Sequence, residues 1–198
     1  MDFPLKTERL CLSSIVEDDI GRLIELCRQP ESYLQYEEHD GEPAAESLLE
    51  HFQEYIEEAK TLPEKGGICF AVRYSGEIIG EVHLYLNYEH RREWEIGYRF
   101  FATHWGKGYA FEAVQAVLFY AFEHFNAHKV VAFLNAQNHR SHKLVKRLGM
   151  HYEGTLREAR LIDGNYYDEY IYSMLESDFA DNNKGQAQDE PAAPNNAF

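Results

Sequence analysis

The sequence predicts an α/β fold: a mixed sheet of seven strands with four helices on its two faces. Three observations predict it. Apolar residues recur at helical spacing in some segments and alternate with polar ones in others. Two dipeptides of hairpin type, Ser75-Gly76 and Asp163-Gly164, each join two strand-like runs. One short run without polar residues, Val130-Val131-Ala132-Phe133-Leu134, has the composition of a strand covered on both faces.

Taken in order, Arg9-Leu10-Cys11-Leu12 reads as the first strand. Ile15 to Cys27 has apolar residues at 16, 20, 23, 24 and 27, a helical spacing, with Asp18 and Asp19 in the favoured first turn and Pro30 ending it. Pro43 opens a second helix, Ala44 to Lys60, with Leu48, Phe52, Tyr55, Ile56 and Ala59 on one face. Gly67 to Tyr74, Glu77 to Tyr88 and Arg92 to Phe101 read as three strands, the first two joined through Ser75-Gly76. A helix from Lys107 to Phe125 follows, then the buried run at 130–134. Asn138 caps the fourth helix, which ends at Leu148-Gly149 with glycine as its C-terminal stop. Met150 to Arg160 and Tyr166 to Leu175 form the last hairpin around Asp163-Gly164. The expected domain covers 1–179. The Gln/Ala/Pro/Asn-rich stretch 180–198 lacks periodic apolar residues and is expected to be a disordered tail.

With 198 residues, 44% of them hydrophobic, the chain can bury a core. No apolar run approaches the ~20 residues of a membrane helix, and the N-terminus has no signal-peptide pattern. A cytoplasmic protein without membrane partners is expected. A formal charge of −15 argues against nucleic acid as the main ligand. The charge is uneven: Glu31 to Glu64 holds eleven acidic residues and one lysine, whereas Lys129 to Arg147 is basic and has no acid. Cys11, Cys27 and Cys69 lack metal-ligand or disulfide spacing and read as buried thiols.

The most informative stretch is Trp105-Gly106-Lys107-Gly108-Tyr109-Ala110, between a strand and a helix. Such a turn gathers backbone N–H groups at the positive end of a helix dipole, an anion site suited to phosphate or pyrophosphate. It is neither a Walker P-loop nor a G-x-G-x-x-G turn. Asn138-x-x-Ser141 places two polar groups on one helix face, although capping alone would also explain Asn138. Glu95, sharing a strand face with Glu93, is a carboxylate that could act as a base. His139 and His142 lack a third metal ligand and read as a basic helix face, and no metal site is expected. Tyr85, Tyr88, Tyr98, Phe100 and Phe101 read as mixed core and cleft wall.

Together, Glu95-Ile96-Gly97-Tyr98, Trp105-Gly-Lys-Gly108-Tyr-Ala110 and Glu112-Ala113 resemble the acetyl-CoA motif of the GNAT N-acetyltransferases. Thr7-Glu8-Arg9-Leu10 and Asn138-x-x-Ser141 with Leu148-Gly149-Met150 resemble the branch that acetylates ribosomal-protein N-termini. The resemblance spans Thr7 to Phe179 and implies the GNAT fold, a mixed, mostly antiparallel sheet. It implies an enzyme that transfers an acetyl group from acetyl-CoA to a primary amine, such as a protein N-terminal amine, by direct attack in a ternary complex. Trp105, Gly106, Lys107, Gly108, Tyr109 and Ala110 would bind the pyrophosphate through their N–H groups. Tyr98, Arg99 and Phe100 would pair with the pantetheine, and Asn138 would contact it. Any of Lys107, Arg140, Lys143 and Arg147 could offset the phosphate charge.

In the family a Tyr often stands seven residues after the Asn as acid for the leaving thiolate. Here that position is Val145, so Ser141 is the nearest substitute. Two alternatives stay open. The acidic 31–64 segment suits a small cationic amine such as a polyamine or an antibiotic, and Val145 suits a catalytically silent CoA-binding module. Monomer and homodimer are both compatible with the sequence.

Overall fold

Alternation of apolar and polar residues builds the sheet, and the same alternation assigns its two faces. The computed structural model describes residues 4–31, 36, 44–59 and 67–181, with side chains only to 57 in the second of these helical stretches. Pro43 and Lys60, most of the acidic 31–64 segment outside its helix, and 182–198 therefore lie outside the described residues.

Eight strands occur among the described residues: β1 (Leu5–Lys6), β2 (Leu10–Ser14), β3 (Gly67–Tyr74), β4 (Glu77–Tyr88), β5 (Glu93–Phe100), β6 (Lys129–Asn135), β7 (His151–Ile162) and β8 (Asn165–Leu175). The α-helices are α1 (Ile20–Cys27), α2 (Ala45–Ala59), α3 (Tyr109–His124) and α4 (His139–Arg147). The spatial order is β1-β2-β3-β4-β5-β6-β8-β7. Every pair is antiparallel except β5 with β6. The strand added to the expected seven is β1, a two-residue edge paired through Leu5 with Leu12.

Both hairpins form where expected. Ser75 and Gly76 have φ of 51° and 88°, Asp163 and Gly164 47° and 75°; two successive positive φ values match the right-handed twist of the strands they join. Two helices start later than their periodicity suggests. Ahead of α1, Glu17–Asp19 form a 3-10 turn, and the Asp19 carboxylate accepts from the Val16 N–H at 3.1 Å and from Arg73 at 2.5 Å. Gly108, at φ +82°, lies outside helical space, so α3 begins at Tyr109 rather than Lys107. A helical turn over 176–181 follows β8 and packs Phe179 on Phe122, ring centroids 4.8 Å apart.

The sheet separates two cores. On one face Phe70, Val82, Ile96, Phe100 and Met174 pack against α3 and α4. On the other, Cys69, Ala71 and Ile78 pack against α1 and α2 through Leu23, Cys27 and Phe52. The β5–β6 pairing is short: Glu93↔Lys129, Trp94↔Val130 and Glu95↔Val131. Beyond Glu95 the two strands no longer pair, which opens a gap in the middle of the sheet. That gap positions the candidate site.

Candidate active site

A cleft of about 430 Å³ opens between the end of β5, the turn before α3 and the first turns of α4. Ten residues expected to hold the cofactor line it: Tyr98, Arg99, Phe100, Trp105, Gly106, Gly108, Tyr109, Ala110, Asn138 and Ser141. Two of the expected site residues do not. Lys107 turns away, its Nζ donating to the Thr103 carbonyl at 3.0 Å. Glu95 lies elsewhere, on the strand face toward α1 and α2.

The glycine turn is fastened from several sides. The Trp105 indole donates to the Phe100 carbonyl at 2.8 Å, tying the turn to the end of β5. Arg9 donates to the Lys107 carbonyl at 2.9 Å and, through Nε, to Glu112 at 2.6 Å. Glu112 also accepts from the Thr7 hydroxyl at 2.5 Å and the Arg9 N–H at 2.8 Å. Burial pushes the Glu112 carboxyl up, but the bonds from Thr7 and Arg9 outweigh it and hold the group below the ordinary carboxylate value. Thr7-Glu8-Arg9-Leu10 thus acts as a clamp on the turn, which its sequence did not suggest.

The expected row of N–H groups shortens by one. The Trp105 N–H closes a 3-10 turn on the Ala102 carbonyl at 3.2 Å, because Trp105 ends that turn rather than opening the anion site. The N–H groups of Gly106, Lys107, Gly108, Tyr109 and Ala110 have no acceptor among the described residues, and the first bond of α3 runs from Glu112 to Gly108. Gly106 and Gly108 adopt φ of +74° and +82°, a region that only glycine enters without strain, and so keep this curved backbone open. The opposite rim carries cations. Arg140 lies over the Trp105 ring at 4.4 Å and Arg147 over Phe111 at 4.1 Å, while Lys143 also lines the cleft. Open amides facing three cations suit a polyanion.

Asn138 caps α4, its side chain accepting from the Ser141 N–H at 3.1 Å. Capping and cleft lining therefore coincide in one residue. Val145 is fully buried in the α3–α4 core, so the missing phenol is replaced by packing. His142 is also structural: it stacks on Tyr170 at 4.8 Å, and a ring nitrogen meets the Asn135 carbonyl at 3.2 Å. Among the described residues no group of three or more His, Cys, Asp or Glu is placed to hold a metal ion. Likewise, no helix there is long and apolar enough to cross a membrane.

On the other face, odd-numbered residues of β4 and β5 form a polar column: Glu81 opposite Arg99, His83 opposite Gly97, Tyr85 opposite Glu95. Glu81 is 1% exposed and paired with Arg99 at 3.0 Å, and Arg99 also donates to Cys27 Sγ at 2.8 Å. Burial, then Arg99 and His51, lower the His83 pKa from 6.5 to about 3. A Cβ on Gly97 would lie 1.9 Å from the His83 ring, so only glycine lets the imidazole lie flat there. Tyr85 stacks on Tyr55 of α2 at 5.8 Å; burial raises its hydroxyl, and Glu95 adds to this. Burial also lifts the Cys69 thiol well above its ordinary value, which keeps it a neutral core group.

Alternation holds along β5. Trp94 is buried and stacks on Phe125 at 4.6 Å, while Glu93 and Glu95 face the other way. The irregularity sits in the partner strand, between Leu86 and Tyr88. The aromatic set divides: Phe100 and Phe101 are core, Tyr98 and Phe100 wall the cleft, and Tyr88 is 48% exposed. The polar column was readable in Glu81-Val-His83-Leu-Tyr85, where polar and apolar residues alternate, but no motif marked it.

A family model described as an acetyltransferase (GNAT) domain matches residues 9–151. The chain belongs to the GNAT acetyltransferase family. Among its relatives is an uncharacterised N-acetyltransferase, YoaA, of Bacillus subtilis (strain 168), 28% identical over 87% of this chain and 97% of YoaA. Similar solved structures carry the same fold. One is a spermidine N-acetyltransferase from Vibrio cholerae in complex with CoA and spermine: TM-score 0.76, 24% identity, 88% of this chain and 99% of that one. Another is a ribosomal-protein-S5-alanine acetyltransferase from Vibrio fischeri: TM-score 0.77, 20% identity, 90% and 99%. Neighbours of both kinds are equally similar, so the family stands and the branch does not. As a GNAT member the chain is an acetyl-CoA-dependent acyltransferase acting on an amine.

Proposed function

We propose that the chain transfers the acetyl group of acetyl-CoA to a protein N-terminal α-amine, such as that of a ribosomal protein, by direct attack in a ternary complex. The observation that carries the cofactor side is the row of five open N–H groups from Gly106 to Ala110, facing Arg140, Lys143 and Arg147 across the cleft. The pyrophosphate binds that row, and the α4 cations take the remaining phosphate charge. The pantetheine runs along Tyr98–Phe100, where β5 has lost its partner, and an N–H there polarises the thioester carbonyl. Asn138 contacts the pantetheine arm. The amine approaches from the α1–α2 face, where Glu95, the last β5 residue paired with β6, takes its proton directly or through a water. Ser141 meets the departing sulfur from the α4 side.

One observation favours a second acceptor class. Glu31, from the acidic segment, lines the same cleft, as an acceptor bearing a second positive charge would require. Free-thiol release with acetyl-CoA and a panel of amines, covering short peptides with free N-termini, polyamines and aminoglycosides, decides between them. Turnover with peptides, rising with pH through the ordinary α-amine pKa of ~8, supports the N-terminal reading. Turnover confined to polycations, with a strongly salt-dependent KM, replaces it with the cationic one. Acetyl-CoA binding without turnover on any amine leaves a CoA-binding module instead.

A further inference from the structure

Asn135, the last residue of β6, is 3% exposed and does not itself line the cleft. It nevertheless joins two parts of the cleft wall. Its main-chain carbonyl accepts from the Asn138 N–H at 2.9 Å and meets a His142 ring nitrogen at 3.2 Å, which seats the first turns of α4. Its side-chain oxygen accepts from the Gln137 N–H at 2.8 Å, and its Nδ2 donates to the Tyr36 carbonyl at 3.3 Å. The bond to Gln137 is an ordinary Asx turn, which Ser also makes, more weakly. The bond to Tyr36 is different: it spans 99 positions, it needs the donor of the amide, and it serves nothing in the turn. The Gln137 N–H fixes which way the amide faces and so aims Nδ2 at Tyr36.

Tyr36 and Glu31 line the cleft together with Asn138, Arg140 and Ser141. Glu31 is the one acid among the described residues there, while Arg140, Lys143 and Arg147 supply cations. An amine acceptor arrives protonated, with an ordinary pKa of ~8 or above, and the cations that suit phosphate repel it. A carboxylate at the cleft offsets that repulsion. Glu31 lies between two fixed points of the chain: Cys27, fully buried at the end of α1, and Tyr36, held by Asn135.

We propose that Asn135 is a positioning residue for the acceptor: by tying Tyr36 to the end of β6 it keeps Glu31 at the cleft, where the carboxylate receives the positive charge of the incoming amine. This rests on the amine acceptor proposed above. Breaking the tie frees one of the two points that hold Glu31. Acceptor binding should weaken, and the pyrophosphate site should not change, since the glycine turn lies on the α3 side of the cleft.

The test is a double-mutant cycle on Asn135→Ser and Glu31→Gln, read by free-thiol release with saturating acetyl-CoA and either spermidine or an alanine-led tetrapeptide as the probe amine. Asn135→Ser keeps a hydroxyl for Gln137 but does not reach Tyr36. It should raise the amine KM roughly fivefold, the worth of one neutral hydrogen bond, with kcat and acetyl-CoA affinity unchanged. Glu31→Gln should raise the amine KM as well, and the double variant should raise it no further, because Asn135 acts through Glu31. Calorimetric binding of the probe to the coenzyme A complex gives the same comparison without turnover. Additive effects on KM overturn the proposal, as does a loss of acetyl-CoA affinity equal to the loss for the amine. Should Asn135→Ser melt below the assay temperature, Asn135→Asp replaces it, keeping an oxygen for Gln137 and setting a second one against the Tyr36 carbonyl. If both variants fail to fold, Asn135 is structural and the proposal falls. If the wild type neither binds nor acetylates either probe, the acceptor reading falls and takes this one with it. If the wild type acetylates a probe and Asn135→Ser matches it throughout, the Asn135 role alone falls.

Discussion

The two sides of the gap in the sheet are built on opposite principles. On the cofactor side the chain leaves backbone donors open: five N–H groups from Gly106 to Ala110, held in shape by Arg9, Glu112 and the Trp105 indole. On the acceptor side it pairs charged side chains with one another, Glu81 on Arg99 and Arg99 on Cys27, and leaves only the uncharged His83 Nδ1 buried without a hydrogen-bond partner among the described residues of that column. An anion site made of backbone needs glycine and a helix start, features that any reader of the sequence can see. A wall made of paired side chains needs only the right neighbours across two strands, and those are set by register. The difference teaches where stability and where binding are stored. Disturbing the acceptor wall should cost folding energy, and disturbing the turn should cost affinity.

The largest effect is expected at Arg99. Its removal leaves Glu81, 1% exposed, as an unpaired buried charge, which typically costs about 3–5 kcal/mol. Arg99→Leu should therefore lower the melting temperature by roughly 10 °C or more in a chain of this size. The double variant Glu81→Leu with Arg99→Leu removes both charges and should recover most of the loss, since an apolar pair can replace a buried ion pair. Calorimetric scans of the three variants check this. A single variant as stable as the wild type would break the comparison, because the acceptor wall would then not be a closed structural unit.

A smaller effect, of a different kind, is expected at the clamp. Glu112→Ala removes the acceptor shared by Thr7 and Arg9 and frees the turn it holds. The network is partly exposed, so acetyl-CoA affinity by titration calorimetry should fall only about fivefold. The KM for the amine should not move, because the clamp lies on the cofactor side alone. A change in amine KM as large as that in acetyl-CoA affinity would show the two sides to be coupled through β5.

How much of this was legible follows the same division. The hairpins at Ser75-Gly76 and Asp163-Gly164, the buried run at 130–134 and the glycine turn were readable because each depends on local backbone chemistry. Ten of the residues expected at the cofactor share one cleft for that reason. The clamp was not readable: Thr7 and Arg9 meet Glu112 more than a hundred positions away. The Trp105 N–H departs from the expected row because a 3-10 turn at 102–104 uses it, and short 3-10 turns leave no periodicity.

The smallest effect, and the sharpest probe of the closed wall, is the pH dependence set by His83. Its pKa is about 3 when folded and near 6.5 when unfolded, because burial, Arg99 and His51 all disfavour the charged ring. Between those values the unfolded chain binds a proton that the folded chain refuses. Stability from this site is therefore fully present above pH ~6.5 and is lost as the pH falls toward 3. Replacing the ring with a neutral group of similar size, as in His83→Gln, removes that proton uptake. The variant's stability, followed by urea unfolding from pH 7 down to pH 4, should decline less steeply than the wild type's, by up to one proton in slope. At pH 7 the two should differ little, since Gly97 leaves a flat space that a glutamine amide fills imperfectly but without charge. Parallel curves would mean that His83 charges in place, with water or substrate reaching the column. The acceptor wall would then be open like the turn it faces, and the contrast between the two sides would vanish.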